Sequence, residues 1–277
     1  MIKKSPQLNA KAMIINQKTQ DVTLLPSGEG LGQGLMAHLV LGYPSLPESL
    51  HTVEKYIAAG IQILELQIPF SHPTADGPVI TRACQEAVRQ GVSVQACIDA
   101  IRTLRTRYPE QEIMVMSYLN RVFAYGIGKF LENMNDLNIK HLIIPDLPVD
   151  SPLATQFSQQ SPDRSLRLVP VLAANVPDPR LEKLLHPDFD FFYLMSDFKI
   201  TGAGFSLHPS LKGIIRKIKT AKPQARVGIG FGISTTEQVR LVLEEADIAI
   251  IGSALIQAQS QGNLGAFLTS LTNVSST

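Results

Sequence analysis

The feature that most constrains the fold of this 277-residue chain is a regular alternation of short apolar runs with longer amphipathic stretches. Eight runs rich in aliphatic and β-branched residues have the length of strands: 35–41, 63–69, 113–118, 141–145, 166–172, 191–195, 226–231 and 248–251. Helical periodicity marks the stretches between them, as at 49–59, 94–107, 129–138, 209–219 and 236–245. Several strands are apolar on both faces, which is typical of parallel strands covered by helices.

Eight βα units within roughly 240 residues favour a closed (β/α)8 TIM barrel in a single domain. An open doubly wound sheet, the structural alternative, more often has five or six strands. No interdomain linker interrupts the pattern, so we assign residues 35–277 to the barrel domain and residues 1–34 to an N-terminal extension. The extension ends in the Gly-rich segment 28–34, which has no strong strand before it. We interpret it as a flexible lead-in rather than a dinucleotide-binding loop.

Composition excludes several classes of function. The 25 basic and 24 acidic residues nearly cancel, so no net field recruits nucleic acid or an anionic membrane. No run of 18 apolar residues occurs, and no signal-peptide pattern follows Met1, so we expect neither membrane insertion nor export. Cys84 and Cys97 lie in helical-looking segments without metal-ligand spacing. We therefore expect no metal site and a cytoplasmic location.

The stretch 64–79, LELQIPFSHPTADGPV, carries two acids in an unusual setting. Glu65 lies inside an apolar strand, and Asp76 lies in the Pro-rich loop that follows. Burying an ionised carboxylate costs several kcal/mol or raises its pKa, so an acid inside a strand indicates a functional group. We expect both acids beside one cavity. The alternative is that Glu65 pairs with a buried arginine.

Glycines cluster where the last three predicted strands end, in the segments 197–204, 228–234 and 251–254. In a barrel of this type the active site lies at the carboxyl ends of the strands, and the loops after strands seven and eight commonly hold a phosphate. Glycine lets backbone N–H groups approach an anion, and Ser253 opens the last predicted βα helix. These segments favour a phosphate site, although glycines that only permit tight turns are the alternative.

The chain resembles the tryptophan synthase alpha subunit family, whose members cleave indole-3-glycerol phosphate to indole and glyceraldehyde 3-phosphate. The matching segments run in order along the chain: LGYP from Leu41, ELxIPFSxPxADGP from Glu65, SYxN from Ser117, YGI from Tyr125, PDLPVD from Pro145, YLMS from Tyr193, TG from Thr201, GFGIS from Gly230 and IGSA from Ile251. No match is evident in the first 30 residues, where the family has a short helix that closes the barrel floor.

The resemblance implies a role for each matching residue. Cleavage requires one carboxyl group that shuttles protons and another that stays anionic near the indole N–H. Glu65 fits the first role and Asp76 the second, since different environments separate the pKa values of two carboxylates. Further family positions are Tyr193 as a hydrogen-bonding group in the pocket, Thr201 in the closing of loop six, Tyr118 and Asp146 near the pocket, and Gly202, Gly232, Gly252 and Ser253 at the phosphate.

The resemblance also implies that the chain itself needs no cofactor, because pyridoxal phosphate belongs to the beta subunit that is a possible partner. Several residues depart from the family pattern. His72 replaces an aspartate that helps to contact that subunit, so we expect a weakened interaction. In loop six, Asp197 and Lys199 stand where arginine and glycine are common.

Two departures lie close to the predicted catalytic pair. Strand alternation places Gln67 beside Glu65 in the barrel mouth, where the family usually has glycine. His38 replaces an aromatic residue of the indole pocket, and a histidine with all its hydrogen bonds satisfied in the core is the alternative explanation. The resemblance implies a lyase that acts either as a tryptophan synthase alpha subunit or as a stand-alone indole producer. The alternative functions are an aldolase-type enzyme on a related phosphorylated substrate and a non-catalytic binding or regulatory barrel. Retention of Glu65 and Asp76 argues against the second of these.

Overall fold

The computed structural model describes residues 34–161, 165–185, 189–195, 199–201, 204–230 and 232–272, and for 199–201 and 204–206 it describes the backbone alone. The predicted extension 1–34 therefore lies outside the described residues except for Gly34. Within this part of the chain the strands are β1 Leu35–Val40, β2 Ile63–Gln67, β3 Glu112–Met116, β4 His141–Ile143, β5 Arg167–Leu168, β6 Val171–Ala173, β7 Phe191–Met195, β8 Lys199–Thr201, β9 Gly204–Ser206, β10 Arg226–Gly230 and β11 Ile248–Ile251.

Nine of these strands form one parallel sheet in the order β5-β4-β3-β2-β1-β11-β10-β7-β6. The two edges of that sheet, β5 and β6, are consecutive pieces of one chain segment, so the sheet closes on itself. The barrel predicted from the sequence is confirmed, and solved barrels of similar structure, described below, agree.

The predicted fifth strand, 166–172, is wrong as a single element because it divides at Pro170. Proline has no N–H to donate to a ladder, and strands therefore break or bulge at this residue. The break does not open the barrel: the Val169 N–H donates to the Leu142 carbonyl at 2.9 Å, and the Tyr193 N–H donates to the Pro170 carbonyl at 2.9 Å. The segment predicted as loop six contains an antiparallel hairpin, formed by β8 and β9.

The helices are α1 Leu46–Ala58, α2 Pro78–Arg89, α3 Val94–Arg107, α4 Leu119–Tyr125, α5 Ile127–Asp136, α6 Pro152–Gln159, α7 Asp178–Leu184, α8 Pro209–Ala221, α9 Thr236–Leu243, α10 Ser253–Ser260 and α11 Leu264–Thr272. The predicted helix 94–107 is confirmed at both ends. The predicted helices 209–219 and 236–245 begin as expected and end within two residues of the prediction, whereas 49–59 and 129–138 shift by one to three residues toward the N-terminus. Helix α1 begins earlier than expected because the Ser45 hydroxyl accepts from the Glu48 N–H and caps it.

Strand alternation divides the core into two layers. In β1, Leu35, Ala37 and Leu39 pack against the surrounding helices, whereas Met36 packs inside the barrel. The interior cluster also contains Ile63, Met114, Met116, Tyr118, Ile143, Val169, Phe191, Tyr193, Ile248 and Ile250. Glu65 and Gln67 share the inward face of β2 with Ile63, as the period of two predicts. Polar groups therefore enter an otherwise apolar barrel near the carboxyl ends of its strands.

Ion pairs surround the opposite end of the barrel, where the strands begin. Arg226 binds Glu112 through two hydrogen bonds of 2.6 and 2.8 Å. Asp190 accepts from Arg167 at 2.6 Å and lies 2.9 Å from His141 Nε2. These charges link the first residues of strands that are distant in sequence, so the two ends of the barrel differ in chemistry: ion pairs at one end and a cavity at the other.

Candidate active site

A cavity of about 240 Å³ opens at the carboxyl ends of the strands. Seven of the predicted site residues line it: His38, Glu65, Asp76, Tyr193, Gly232, Gly252 and Ser253. Its remaining walls are largely apolar and include Val79, Ile80, Met116, Ile143, Val171, Met195 and Ile250. The structure thus brings both acids and three of the four predicted phosphate-binding residues to one enclosed space.

Glu65 and His38 form a buried pair across neighbouring strands. They are direct partners in the register of β1 and β2, and their side chains are 3% and 5% exposed. His38 Nδ1 lies 3.3 Å from Glu65 Oε2. The arginine partner considered for Glu65 is therefore wrong, because the charged group beside this acid is an imidazole. His38 Nε2 has no hydrogen-bond partner within the described residues, so this histidine is not fully satisfied by the core.

Asp76 is held by two side chains that come from different strands. The Gln67 amide donates to Asp76 Oδ2 at 2.7 Å, and the Tyr118 hydroxyl donates to the same oxygen at 2.9 Å. The Tyr118 oxygen also accepts from the Ala75 N–H at 2.9 Å, which ties the loop backbone to the end of β3. Phe70 packs against the Tyr118 ring with 5.4 Å between centroids. Gln67 and Tyr118 therefore position an acid in the cavity without lining it.

Burial and neighbouring charges shift the pKa values in this cluster. Burial by itself would lower the pKa of His38, but Glu65, Asp76 and Gln67 together raise it above the ordinary value. Burial raises the pKa of Asp76, and His38, Gln67 and Tyr118 oppose that increase. The pKa of Tyr193 lies well above its ordinary value because of burial and the charges of Glu65 and Asp76, so this side chain remains a neutral phenol. Perturbed groups gathered in one cleft are typical of active sites.

The start of α10 also lines the cavity. Gly252 is its N-cap residue and supplies no side-chain capping hydrogen bond, while Ser253 is its first residue. The N-terminus of α9 differs, because Gln238 Oε1 already accepts from the N–H groups of Ser234 and Thr235 at 2.6 and 3.2 Å. Uncapped N–H groups at a helix N-terminus favour an anion. The α10 terminus is therefore the better-suited anion site of the two.

Close packing explains two glycines of this region. A Cβ on Gly252 would lie 3.3 Å from Ile80 Cδ1 and 3.4 Å from His38 Cβ. A Cβ on Gly230 would lie 2.6 Å from the Tyr193 hydroxyl, so glycine is needed there to admit the phenol. Gly232 has φ of +82°, a backbone conformation that favours glycine. Tight packing and anion binding are thus compatible explanations for the glycines of this region.

The remaining predicted site residues are not part of the cavity as described. Asp146 does not line it; its Oδ1 accepts from the Leu119 N–H at 2.9 Å and so anchors the start of α4. Thr201 is described by its backbone alone, as part of β8, and Gly202 lies outside the described residues together with Asp197. The apolar walls of the cavity were not predicted from the sequence. Met116, Ile143 and Ile250 could have been found from strand alternation, but Ile80 follows a loop and carries no such signal.

Further observations concern metal ligands, free thiols and the length of the apolar helices. Among them, no three histidine, cysteine, aspartate or glutamate side chains converge in a way that could hold a metal ion. Cys84 and Cys97 are buried free thiols, and burial raises the pKa of each to about 12. No helix in this part of the chain combines the length and apolar character that a membrane span requires.

The fold and the site define a (β/α)8 barrel with a pocket lined by two carboxylates and by the N-terminus of a helix. The model of the tryptophan synthase alpha chain family matches residues 29–268, and the chain belongs to that family. Membership places it among the proteins of tryptophan biosynthesis and implies a lyase.

Individual relatives support this family assignment. The tryptophan synthase alpha chain of Methanosarcina acetivorans is 35% identical over 230 residues, which cover 83% of this chain and 82% of that protein. The alpha chain of Desulforapulum autotrophicum is 32% identical over 240 residues, covering 86% and 93%. Among solved structures, tryptophan synthase of M. tuberculosis superposes with a TM-score of 0.76 at 27% identity, covering 87% of this chain and 92% of that chain. The alpha subunit of Legionella pneumophila gives 0.75 at 26% identity, covering 87% and 91%.

Proposed function

We propose that the protein is a lyase that cleaves indole-3-glycerol phosphate to indole and glyceraldehyde 3-phosphate by retro-aldol chemistry. One observation carries this proposal: Glu65 and Asp76 line the same cavity as Gly252 and Ser253 at the N-terminus of α10. The apolar side chains that complete the cavity wall suit an aromatic ring. This substrate requires two acids, an apolar slot for its aromatic ring and an anion site for its phosphate.

The reaction needs two proton transfers, one to the substrate and one from it, so the substrate gains no net proton. Protonation of indole C3 produces a positive ring nitrogen, and loss of the side-chain hydroxyl proton then lets the carbon–carbon bond break as the aldehyde forms. The bonding electrons return to the ring and neutralise the nitrogen. Glu65, buried and next to the ring position, is the group that gives the first proton and takes the second. A positioned acid or base contributes about 10² to 10⁴ fold to such a step.

Asp76 stays anionic and accepts the ring N–H in this mechanism, which stabilises the positive charge. Both donors that hold this acid bind Oδ2. Oδ1 is therefore the oxygen that we assign to the ring nitrogen. Tyr193 lines the same cavity and is a neutral phenol. The phosphate would bind the N–H groups of Gly252 and Ser253, with Gly232 beside them and Gly202 as a further expected contact.

A second candidate is an aldolase-type enzyme on a related phosphorylated substrate. The observation that favours it is that His38, which lines the cavity, has a buried Nε2 without a hydrogen-bond partner among the described residues. Buried polar atoms are rarely left unpaired, and a substrate with an additional polar group could satisfy this nitrogen.

Incubation of the purified chain with indole-3-glycerol phosphate, with and without a tryptophan synthase beta subunit, tests the proposal. Release of indole together with an equal amount of glyceraldehyde 3-phosphate is expected. Absence of indole under both conditions would contradict the proposed reaction. In that case, cleavage of other phosphorylated hydroxy compounds would support the aldolase alternative, and no cleavage at all would support a non-catalytic barrel.

A further inference from the structure

The pair formed by His38 and Glu65 has chemistry that neither residue has alone. Both side chains are almost completely buried, and both line the cavity. No arginine or lysine forms an ion pair with Glu65 in the described part of the chain, so the imidazole 3.3 Å away is the group there that can compensate its charge. Glu65 Oε2 makes no hydrogen bond within the described residues, so this contact is an ion-pair contact. A buried carboxylate without compensation would be driven to its neutral form and would lose its capacity to accept a proton.

The other groups that face His38 support a shared proton. Asp76 raises the pKa of His38 together with Glu65, against the lowering effect of burial. Gln67 is a neutral amide, and Tyr193, which also lines the cavity, is a neutral phenol. On the β11 side, His38 meets Gly252, which has no charge. The two acids are therefore the charged neighbours of this imidazole within the described residues.

We propose that His38 and Glu65 hold one exchangeable proton between them and that His38 is the positioning residue which lets Glu65 serve as both acid and base. This inference rests on the proposed lyase function. In the resting pair the imidazole carries the proton and Glu65 is a carboxylate, so the pair has no net charge. The proton passes through Glu65 to indole C3, and the hydroxyl proton of the substrate returns to the pair when the carbon–carbon bond breaks. Protons and charge therefore balance over the cycle.

The shared proton is tested first by NMR titration of the histidine ring nitrogens in the ¹⁵N-labelled full chain. The chain has 6 histidines, and the His38 signals are identified by their loss in His38→Gln. The His38 titration midpoint is expected above the ordinary value of about 6.5. In Glu65→Gln the His38 midpoint is expected to fall by at least about one pH unit, because burial lowers it and the Glu65 carboxylate no longer opposes that effect.

The role in catalysis is tested by the pH profile of kcat. His38→Gln retains a hydrogen-bonding group but cannot titrate, so kcat is expected to fall about 10- to 100-fold while KM changes less than about threefold. One limb of the wild-type profile, the change of kcat with pH whose midpoint matches the His38 titration, is expected to disappear in His38→Gln. His141→Gln is the matched control, since His141 is also buried beside a carboxylate, 2.9 Å from Asp190, but lies at the other end of the barrel. It should leave this limb unchanged.

Two results would overturn the inference: a His38 titration that does not respond to Glu65→Gln, or a profile that keeps the same limb in His38→Gln. A separate outcome concerns the proposed function. If the wild-type chain releases no indole, the lyase proposal fails, and the titration by itself decides whether the two side chains share a proton.

Discussion

At the scale of single residues, each acid of the cavity has an added partner. Glu65 faces His38, and Asp76 is bound by Gln67 through a hydrogen bond of 2.7 Å. The resemblance leads one to expect an aromatic residue at position 38 and a glycine at position 67. A hydrogen bond to a charged group contributes about 1.5–3 kcal/mol, so the bond from Gln67 is strong enough to govern the geometry of Asp76.

Replacement of the proposed proton shuttle should abolish most of the activity. Glu65→Gln keeps the size of the side chain but removes its titrating group, so kcat for indole release is expected to fall by about 10² to 10⁴ fold or more. Steady-state assays at saturating substrate measure this. The circular dichroism spectrum serves as the control for folding, and turnover close to that of the wild type would exclude Glu65 as the shuttle.

Removal of the Gln67 amide should weaken the hold on Asp76. Gln67→Met retains length and volume but cannot donate to Oδ2, so kcat/KM is expected to fall about 10-fold, which corresponds to one hydrogen bond to a charged group. Tyr118→Phe removes the other donor to the same oxygen and should have a similar effect. If both variants kept wild-type kcat/KM, the position of Asp76 would not depend on these contacts.

At the scale of elements, the end of β11 and the start of α10 create the expected phosphate site. Gly252 forms the turn between them, and the helix has no side-chain cap of its own. Because α9 is already capped by Gln238, the two neighbouring helices do not contribute equally. The anion is therefore expected at α10.

A side chain at Gly252 should impair substrate binding. Gly252→Val would crowd Ile80 and His38 and block the approach of the phosphate to the backbone, so KM is expected to rise by at least about 10-fold. Gly265→Val is the matched control, because a Cβ at Gly265 in α11 meets no atom within 4 Å. Crystals grown in phosphate should show an anion at Gly252 and Ser253. An empty site at high phosphate concentration would count against this assignment.

At the scale of the whole molecule, ion pairs at the amino ends of the strands join parts of the chain that are far apart. Asp190 precedes β7 and binds residues of β4 and β5. Burial opposes ionisation of Asp190, but His141 and Arg167 outweigh it and lower the pKa of this acid. A carboxylate with a lowered pKa in the folded state stabilises the fold above its unfolded pKa, and this contribution disappears as the pH falls through the folded value.

Asp190→Asn should therefore reduce stability in a pH-dependent way. At pH 7 the free energy of unfolding is expected to fall by about 1 kcal/mol, a value kept small because the side chain is 46% exposed. The difference from wild type should shrink as the pH falls below about 4, where the unfolded carboxyl is protonated. Urea unfolding measures it. Asp178→Asn, which removes a more exposed partner of Lys217, is the control and should change stability by less than about 0.5 kcal/mol.

The assembly with a beta subunit is the largest-scale prediction, and it concerns His72. This side chain is exposed, lies 2.8 Å from the Ser71 hydroxyl, and is four residues from Asp76. An imidazole in place of an interface aspartate removes a charge pair, and such a loss commonly costs a few kcal/mol when the pair is buried. We therefore expect weak binding to a beta subunit and little activation by it. The contacts of Asp76 with Gln67 and Tyr118 support the second expectation, because they position this acid within the chain itself.

Titration calorimetry against a beta subunit from the same organism, followed by indole release at saturation, measures both quantities. His72→Asp is the matched variant and should increase the affinity. Submicromolar binding by the wild-type chain with more than about tenfold activation would contradict the prediction.

Much of this molecule follows from the sequence alone. Apolar residues repeat with periods of 2 and 3.6, and these repeats depend only on neighbours along the chain, so seven of the eight predicted strands, the helix 94–107 and the barrel could be predicted. Glu65 and Asp76 were recognisable because an acid in an apolar strand and an acid in a Pro-rich loop are conspicuous. The glycines after the last strands were recognisable because they cluster in three segments, 197–204, 228–234 and 251–254.

Tertiary structure decided which side chains meet. The pairing of His38 with Glu65 depends on the register of β1 and β2, and that of Gln67 with Asp76 depends on how the loop after β2 folds back. Neither is encoded in residues adjacent along the chain. The break at Pro170 was visible as a residue, but only closure of the barrel shows that its two short strands bridge β4 and β7. Local periodicity therefore determined the elements, whereas contacts between distant segments determined the environment and the pKa of each group in the cavity.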